Sequence, residues 1–113
     1  MIDWDRVADL WSDIGAEGFA DVLELFLEEV EEVVARLGIG PTSLEEDLHF
    51  LKGSAWNLGF AAFGAACQDA ERKAVANLPV ADDIPAVLRS YADSKTAFMA
   101  GLEAFAARQG AVA

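Results

Sequence analysis

The amino-acid sequence predicts an all-α fold, an antiparallel four-helix bundle with an additional short N-terminal helix. Three observations carry this. Each stretch between glycine and proline breaks repeats its apolar residues at intervals of three and four, the helical period. None shows the alternation of two that marks a half-buried strand. The connections are short, which makes successive helices antiparallel neighbours. The length, 113 residues, suits a single domain covering 1–113.

Five helices are expected. The first runs from about Asp3 to Ile14, with Trp4, Val7, Leu10, Trp11 and Ile14 spaced to share a face, and Gly15 ends it. The second spans Ala16 to Leu37, where Phe19, Val22, Leu23, Phe26, Val30, Val33, Val34 and Leu37 form a core stripe. Its opposite side holds Glu24, Glu28, Glu29, Glu31 and Glu32, read as a solvated face, with a charge-matched docking patch as the alternative. Gly38-Ile39-Gly40-Pro41 breaks the chain, and Thr42 or Ser43 opens the third helix, with Ser43-Leu44-Glu45-Glu46 fitting a capping box. Its stripe reads Leu44, Leu48, Leu51, Ala55 and Leu58, and it ends near Gly59-Phe60. The fourth, Ala61 to Ala76, is rich in alanine and packs through Phe63, Ala66, Cys67, Ala70 and Ala74. After Asn77-Leu78-Pro79, Asp82 or Asp83 caps the last helix, with Pro85 in its first turn. Ile84, Val87, Leu88, Tyr91, Phe98, Leu102 and Phe105 mark the apolar face of that helix.

The composition, 54% apolar and 25% charged, is too hydrophobic for disorder, yet no apolar run approaches the roughly 20 residues that cross a bilayer. The charged start Met1-Ile2-Asp3-Trp4-Asp5-Arg6 lacks the apolar core of a signal peptide, so a cytoplasmic location is expected. The single cysteine, Cys67, sits among alanines and reads as a buried, reduced thiol. Twenty acidic residues against eight basic ones give a net charge of -12, which repels phosphate backbones and anionic lipid surfaces. Nucleic acid and membrane are therefore not expected partners. The same excess keeps an apolar-rich small protein soluble.

The residues able to do chemistry lie in His49-Phe50-Leu51-Lys52-Gly53-Ser54-Ala55-Trp56-Asn57-Leu58-Gly59. Leu48 and Leu51 face the core, so His49, about 100° around the helix from Leu48, stands at the edge of the buried stripe. Its ring can reach solvent. Lys52 and Gly53, at i+3 and i+4, adjoin it on the same face. Glycine inside a helix costs roughly 1 kcal/mol relative to alanine, so Gly53 needs a reason beyond helix formation. Either a neighbouring helix packs closely there or space is kept open above His49, and the edge position favours open space. A neutral imidazole is a good nucleophile near pH 7 and accepts a phosphoryl group reversibly. The ammonium of Lys52 would offset part of the added charge, and the bare Gly53 would admit a donor in line. Ser54 adds a hydroxyl of the kind more often tied to its own helix backbone.

The pattern His-x-x-Lys-Gly-Ser followed by Leu-Gly, carried by His49, Lys52, Gly53, Ser54, Leu58 and Gly59, resembles that of the histidine phosphotransfer domains of multistep two-component relays. In length and helical class the resemblance covers essentially the whole chain. It implies that His49 is phosphorylated, that Lys52 assists electrostatically and that Gly53 keeps the surface open. It further implies partners: response-regulator receiver domains, one giving the phosphoryl group from an aspartate and another taking it, and a hybrid histidine kinase. No cofactor or metal is then expected on this chain, the Mg²⁺ being held by the receiver. The residue after the histidine often joins the docking surface in this family, making Phe50 a candidate contact, with Ser54 and Trp56 on the same patch. For Trp56 a core position is the alternative. Family members commonly place a glutamine on the following helix near the histidine, and here Gln68 and Glu71 both compete for that place.

Two rivals remain. Glu46-Asp47-Leu48-His49 contains the Glu-x-x-His pair of di-iron bundles, but that site takes the pair from two helices and this chain has one histidine. Only a homodimer could build it, and Lys52 would then sit beside a cation. The other rival is a non-relaying helical adaptor that binds receiver or kinase domains through the same patch. A kinase or hydrolase fits poorly, for there is no glycine-rich phosphate loop and no second histidine. The expectation is a phosphoryl carrier rather than an autonomous enzyme, with a monomer as the simplest state.

Overall fold

Four helices form, α1 (Trp4–Arg36), α2 (Leu44–Leu58), α3 (Ala61–Val75) and α4 (Ile84–Val112). They are seen in a computed structural model that describes residues 1–37, 39 and 43–112, and no strand occurs among these residues. The all-helical class expected from the apolar period is thus the class observed. Gly38, Gly40, Pro41 and Thr42, named above for the chain break and as one choice of cap, lie outside the described residues. No described helix is long and apolar enough to cross a membrane.

The first two expected helices run on as one 33-residue element with a kink between them at Gly15, the expected break, so four elements are counted where five were expected. Only Gly15 departs from helical geometry within it, at φ 76° and ψ 173°. A positive φ costs glycine no steric strain, so a single residue redirects the chain and the helix resumes at once. Trp11 and Phe19 pack across this kink with ring centroids 5.0 Å apart. Ile14, expected on the core stripe, is instead exposed, since the stripe changes direction at the kink.

The helix ends are set by side chains. Asp3 caps α1 by accepting a hydrogen bond from the Arg6 amide (3.2 Å). Ser43 caps α2, its hydroxyl oxygen accepting from the Glu46 amide (3.3 Å), the bond expected of the capping box. Gly59 closes α2 in the left-handed conformation (φ 88°), and the Phe60 amide donates back to the Ala55 carbonyl (2.8 Å). Gly59 is held by contact as well as by φ. Its carbonyl accepts from the Asp3 amide (2.7 Å), and a Cβ there would lie 2.7 Å from the Asp3 carbonyl oxygen. Arg6 adds bonds from its guanidinium to the Asn57 carbonyl (3.0 Å) and side-chain oxygen (2.7 Å). The start of α1 is thereby fastened over the α2–α3 turn.

Burial follows the apolar stripes. Val7, Phe19, Phe26, Val30, Val33 and Leu37 of the first helix and its end meet Leu48, Leu51, Ala55 and Leu58 of α2 in one core. Phe63, Cys67 and Ala70 from α3 join them, with Val87, Tyr91, Phe98 and Phe105 from α4. Phe60, in the α2–α3 turn, is fully buried and touches Phe26 (5.0 Å between centroids), Phe98 (5.2 Å) and Tyr91 (6.4 Å). At the other end of α4, Trp4 stacks on Phe98 and Phe105, and Trp11 meets Phe105 edge-on. Glu31 binds α1 to α4 by accepting from the Tyr91 hydroxyl (2.7 Å) and the Lys95 ammonium (2.5 Å). These bonds, Lys95's first, hold the Glu31 carboxyl below its ordinary range, while burial and then the Glu31 charge push the Tyr91 phenol up. The molecule measures 50 × 21 × 19 Å.

Candidate functional site

His49 projects from the middle of α2 with its side chain 71% exposed. Its position one step outside the buried Leu48 brings the ring to the seam between α2 and α3. Glu71 rises from α3 to meet it: the His49 Nδ1 and a Glu71 carboxylate oxygen are 2.8 Å apart. The other Glu71 oxygen is 2.6 Å from the Lys52 Nζ. One carboxylate, itself only 13% exposed, therefore bridges the imidazole and the ammonium.

The electrostatics fit that geometry. Burial works to raise the Glu71 carboxyl, but the hydrogen bonds from Lys52 and His49 outweigh it and hold the group below its ordinary value of 4.5. Glu71 is then an anion at neutral pH and can only accept. In the neutral imidazole the hydrogen-bonded Nδ1 must carry the proton, leaving the Nε2 lone pair as the free nucleophile. Cys67 lies one turn before Glu71 on α3, fully buried, and burial followed by the Glu71 charge pushes its thiol up to about 12. It is inert as a nucleophile near neutrality.

Gly53 is exposed one turn along α2 from His49, and a Cβ built on it would meet nothing within 4 Å. Close packing of a neighbouring helix does not account for this glycine. Trp56, a further turn on, is 42% exposed, and its indole lies directly over Gly64 of α3, filling the space a Cβ there would need. Phe50 is 39% exposed and stands between two hollows. On one side it shares a depression of about 430 Å³ with His49, Glu71, Glu45 and Glu46. On the other it faces α1 beside Asp47 and Arg36. Ser54 is half-buried and turned toward α1, where it lines a hollow with Val22, Leu25 and Asn57. The structure thus brings His49 and Lys52 together, leaves Gly53 open beside them, and sets Ser54 apart.

Between Gln68 and Glu71, Glu71 is the residue in contact with His49. The signal for this choice lay in the register. The α2–α3 turn is tight and antiparallel, so Trp56 pairs with Gly64, and stepping seven residues along each helix in opposite directions pairs His49 with Glu71. Gln68 falls one turn nearer to the Gly53 level. Asp47 was not singled out by the sequence. It is buried, accepts from Arg36 of α1 (3.2 Å), and leaves its second oxygen without a partner among the described residues. No group of three or more His, Cys, Asp or Glu side chains is gathered as candidate metal ligands among the described residues.

No curated protein and no solved structure matches the chain. A family model described as the Hpt domain matches residues 21–98, the span that holds the second half of α1, all of α2 and α3, and the first half of α4. That match covers more than half of the sequence and contains His49, Lys52, Gly53 and Glu71. The chain belongs to the Hpt domain family, whose members serve phosphotransfer in two-component relays.

Proposed function

We propose that the chain is a histidine phosphotransfer protein in which His49 accepts a phosphoryl group from a receiver-domain aspartate and passes it to a second receiver. The single observation that carries this reading is the Glu71 carboxylate bridging His49 Nδ1 and Lys52 Nζ. With Nδ1–H donated to Glu71, the Nε2 lone pair attacks phosphorus, the Nε2–P bond forms, and the P–O bond to the aspartate breaks with its electron pair leaving on the carboxylate. The ring becomes a cation, and Glu71 stabilises that developing charge through the same hydrogen bond. A cationic ring is also a good leaving group for the return step. Lys52 supplies positive charge beside the incoming phosphoryl oxygens, and the open Gly53 admits the receiver's aspartyl phosphate.

In this reading the four helices act as an antiparallel four-helix bundle within one domain of 1–113, with the segment before Gly15 covering one end. The chain works in the cytoplasm as a monomer and binds no cofactor, the Mg²⁺ belonging to the receiver. It carries phosphoryl groups and does not use ATP itself. Phe50 and Trp56 flank His49 as partner contacts, Ser54 lying farther off, and a hybrid histidine kinase stands upstream.

The test is incubation with phosphorylated receiver domains and Mg²⁺. The expected product is an acid-labile, base-stable phosphoryl group on the wild type and none on His49→Gln. A folded protein that takes no phosphoryl group from a broad panel of receivers would favour a non-relaying adaptor.

A further inference from the structure

Charge is distributed unevenly around His49. Glu45 and Glu46, four and three residues before it on α2, are exposed and share the depression of about 430 Å³ with His49 and Glu71. Lys52 and the open Gly53 lie on the other side, three and four residues after it. Lys52, its side chain 21% exposed, already faces Glu71 at 2.6 Å, so that pair is close to neutral. Glu45 and Glu46 therefore leave the depression net negative while the imidazole is uncharged.

A site that gathered free phosphate compounds would be built the other way. The helix α2 begins at Leu44, little more than one turn before His49, and the amides of a helix start, with the positive end of its dipole, ordinarily draw phosphate. Here the Ser43 hydroxyl occupies the Glu46 amide, and Glu45, Glu46 and Asp47 all stand in that first turn, offsetting the pull of the dipole. Helix stability is served by a carboxylate at any of these positions. What matters for the chemistry is that two of the three border the nucleophile. Lys52, shared with Glu71, is not an unshared cation able to collect an anion from solution.

We propose that Glu45 and Glu46 are specificity-determining residues that exclude free anionic phosphodonors from His49 and reserve it for a phosphoryl group whose charge a metal ion already offsets. The inference rests on the relay reading, in which the receiver brings Mg²⁺ with its aspartyl phosphate. A metal-bound acyl phosphate reaches the depression with much of its negative charge offset, and the cation meets carboxylates favourably. A small free phosphodonor lacks that cover and is repelled at close range, where salt screens least. The nucleophile is thus exposed to a protein partner without being open to every activated phosphate in solution.

The probe is phosphoramidate in metal-free buffer, an anion that needs no protein to deliver it. The Nε2 lone pair bonds to phosphorus, the P–N bond breaks, and ammonia leaves with the protons it already carries. Because His49 is the sole histidine, the initial rate of phosphohistidine formation, followed by ³¹P NMR on the full chain, reads that site alone. At low ionic strength Glu45→Gln with Glu46→Gln is expected to react about threefold faster than wild type, and Glu45→Lys with Glu46→Lys about tenfold faster. Glu17→Gln with Glu103→Gln removes the same charge from exposed positions beside Phe19 and Phe105, at the other end of the bundle, and should change the rate by less than about 1.5-fold. Added KCl should speed the wild type by screening like charges and should lose that effect in the lysine variant. Site variants no faster than wild type, a remote pair that accelerates the reaction as much, or a wild-type rate indifferent to salt would each overturn the proposal. Absence of transfer from phosphorylated receivers, with the phosphoramidate rates as expected, would sink the relay reading and leave the exclusion of anions at His49 standing.

Discussion

Along the α2–α3 pair, two glycines meet opposite surroundings. Gly64 lies beneath the Trp56 indole, which occupies the place of its missing side chain, while Gly53, one turn from Trp56 and one from His49, has nothing above it. The first glycine exists for packing: two helices approach closely and an aromatic ring seals the seam. The second weakens its helix without improving any contact. In the relay reading, that open space admits the receiver's aspartyl phosphate to His49 and Lys52. Within about one turn of the same helix pair, one glycine therefore serves packing and the other leaves open surface beside His49.

Substitutions can break or sharpen this contrast. The largest effect is expected from His49→Gln, which should reduce phosphoryl uptake to background while changing stability by no more than about 0.5 kcal/mol, since the side chain is mostly solvated. Uptake assays and urea unfolding check the two halves. Next, Gly64→Ala should drive a methyl group into the Trp56 ring and destabilise by roughly 1–3 kcal/mol, the range for overpacking, with a change in tryptophan emission. Gly53→Ala should do the reverse: it should stabilise by about 1 kcal/mol from helix propensity yet slow uptake from a receiver about tenfold, or ~1.4 kcal/mol in the barrier. If Gly53→Ala were destabilising, the open-space account would fail.

The smallest effect concerns pH. Glu71 is held below its ordinary value of 4.5 in the folded chain, so it contributes stability above that value and loses it as pH falls through the lowered one. The difference in unfolding free energy between wild type and Glu71→Gln should accordingly be largest above about pH 5 and shrink on further acidification. A difference that grew in acid would contradict the sign of this linkage.

Much of the architecture was legible because local chemistry decides it. Ser43, three residues before Glu46, specified the start of α2, and Gly59 specified its end. The stripes Leu48, Leu51, Ala55, Leu58 and Val87, Tyr91, Phe98, Phe105 are buried as their spacing demands. What the sequence concealed depends on direction and register. Gly15 reads as a helix end and does break the helical geometry there, but the sequence does not tell how sharply the next helix turns away, and Ile14 is left in solvent at that kink. Ser94 is fully buried between the apolar positions of α4, where the helical period gives no warning of a hydroxyl. Asp47 reads as one more acidic residue of a first turn, and only the distant Arg36 explains how its carboxylate can be buried. At the site, His49, Lys52 and Gly53 announced themselves by spacing, whereas Glu71 and Gln68 lie within one turn of each other and only the pairing of α2 with α3 separates them.

The central claim is that Glu71 holds the proton on Nδ1 of His49 and leaves Nε2 to carry the phosphoryl group. Nitrogen NMR of the ¹⁵N-labelled imidazole, before and after transfer from a phosphorylated receiver, tests it most directly. The account predicts a protonated Nδ1 in both states and phosphorus coupling at Nε2 once the group is transferred. Phosphorus coupled to Nδ1, or an Nδ1 without its proton in the resting protein, would contradict it.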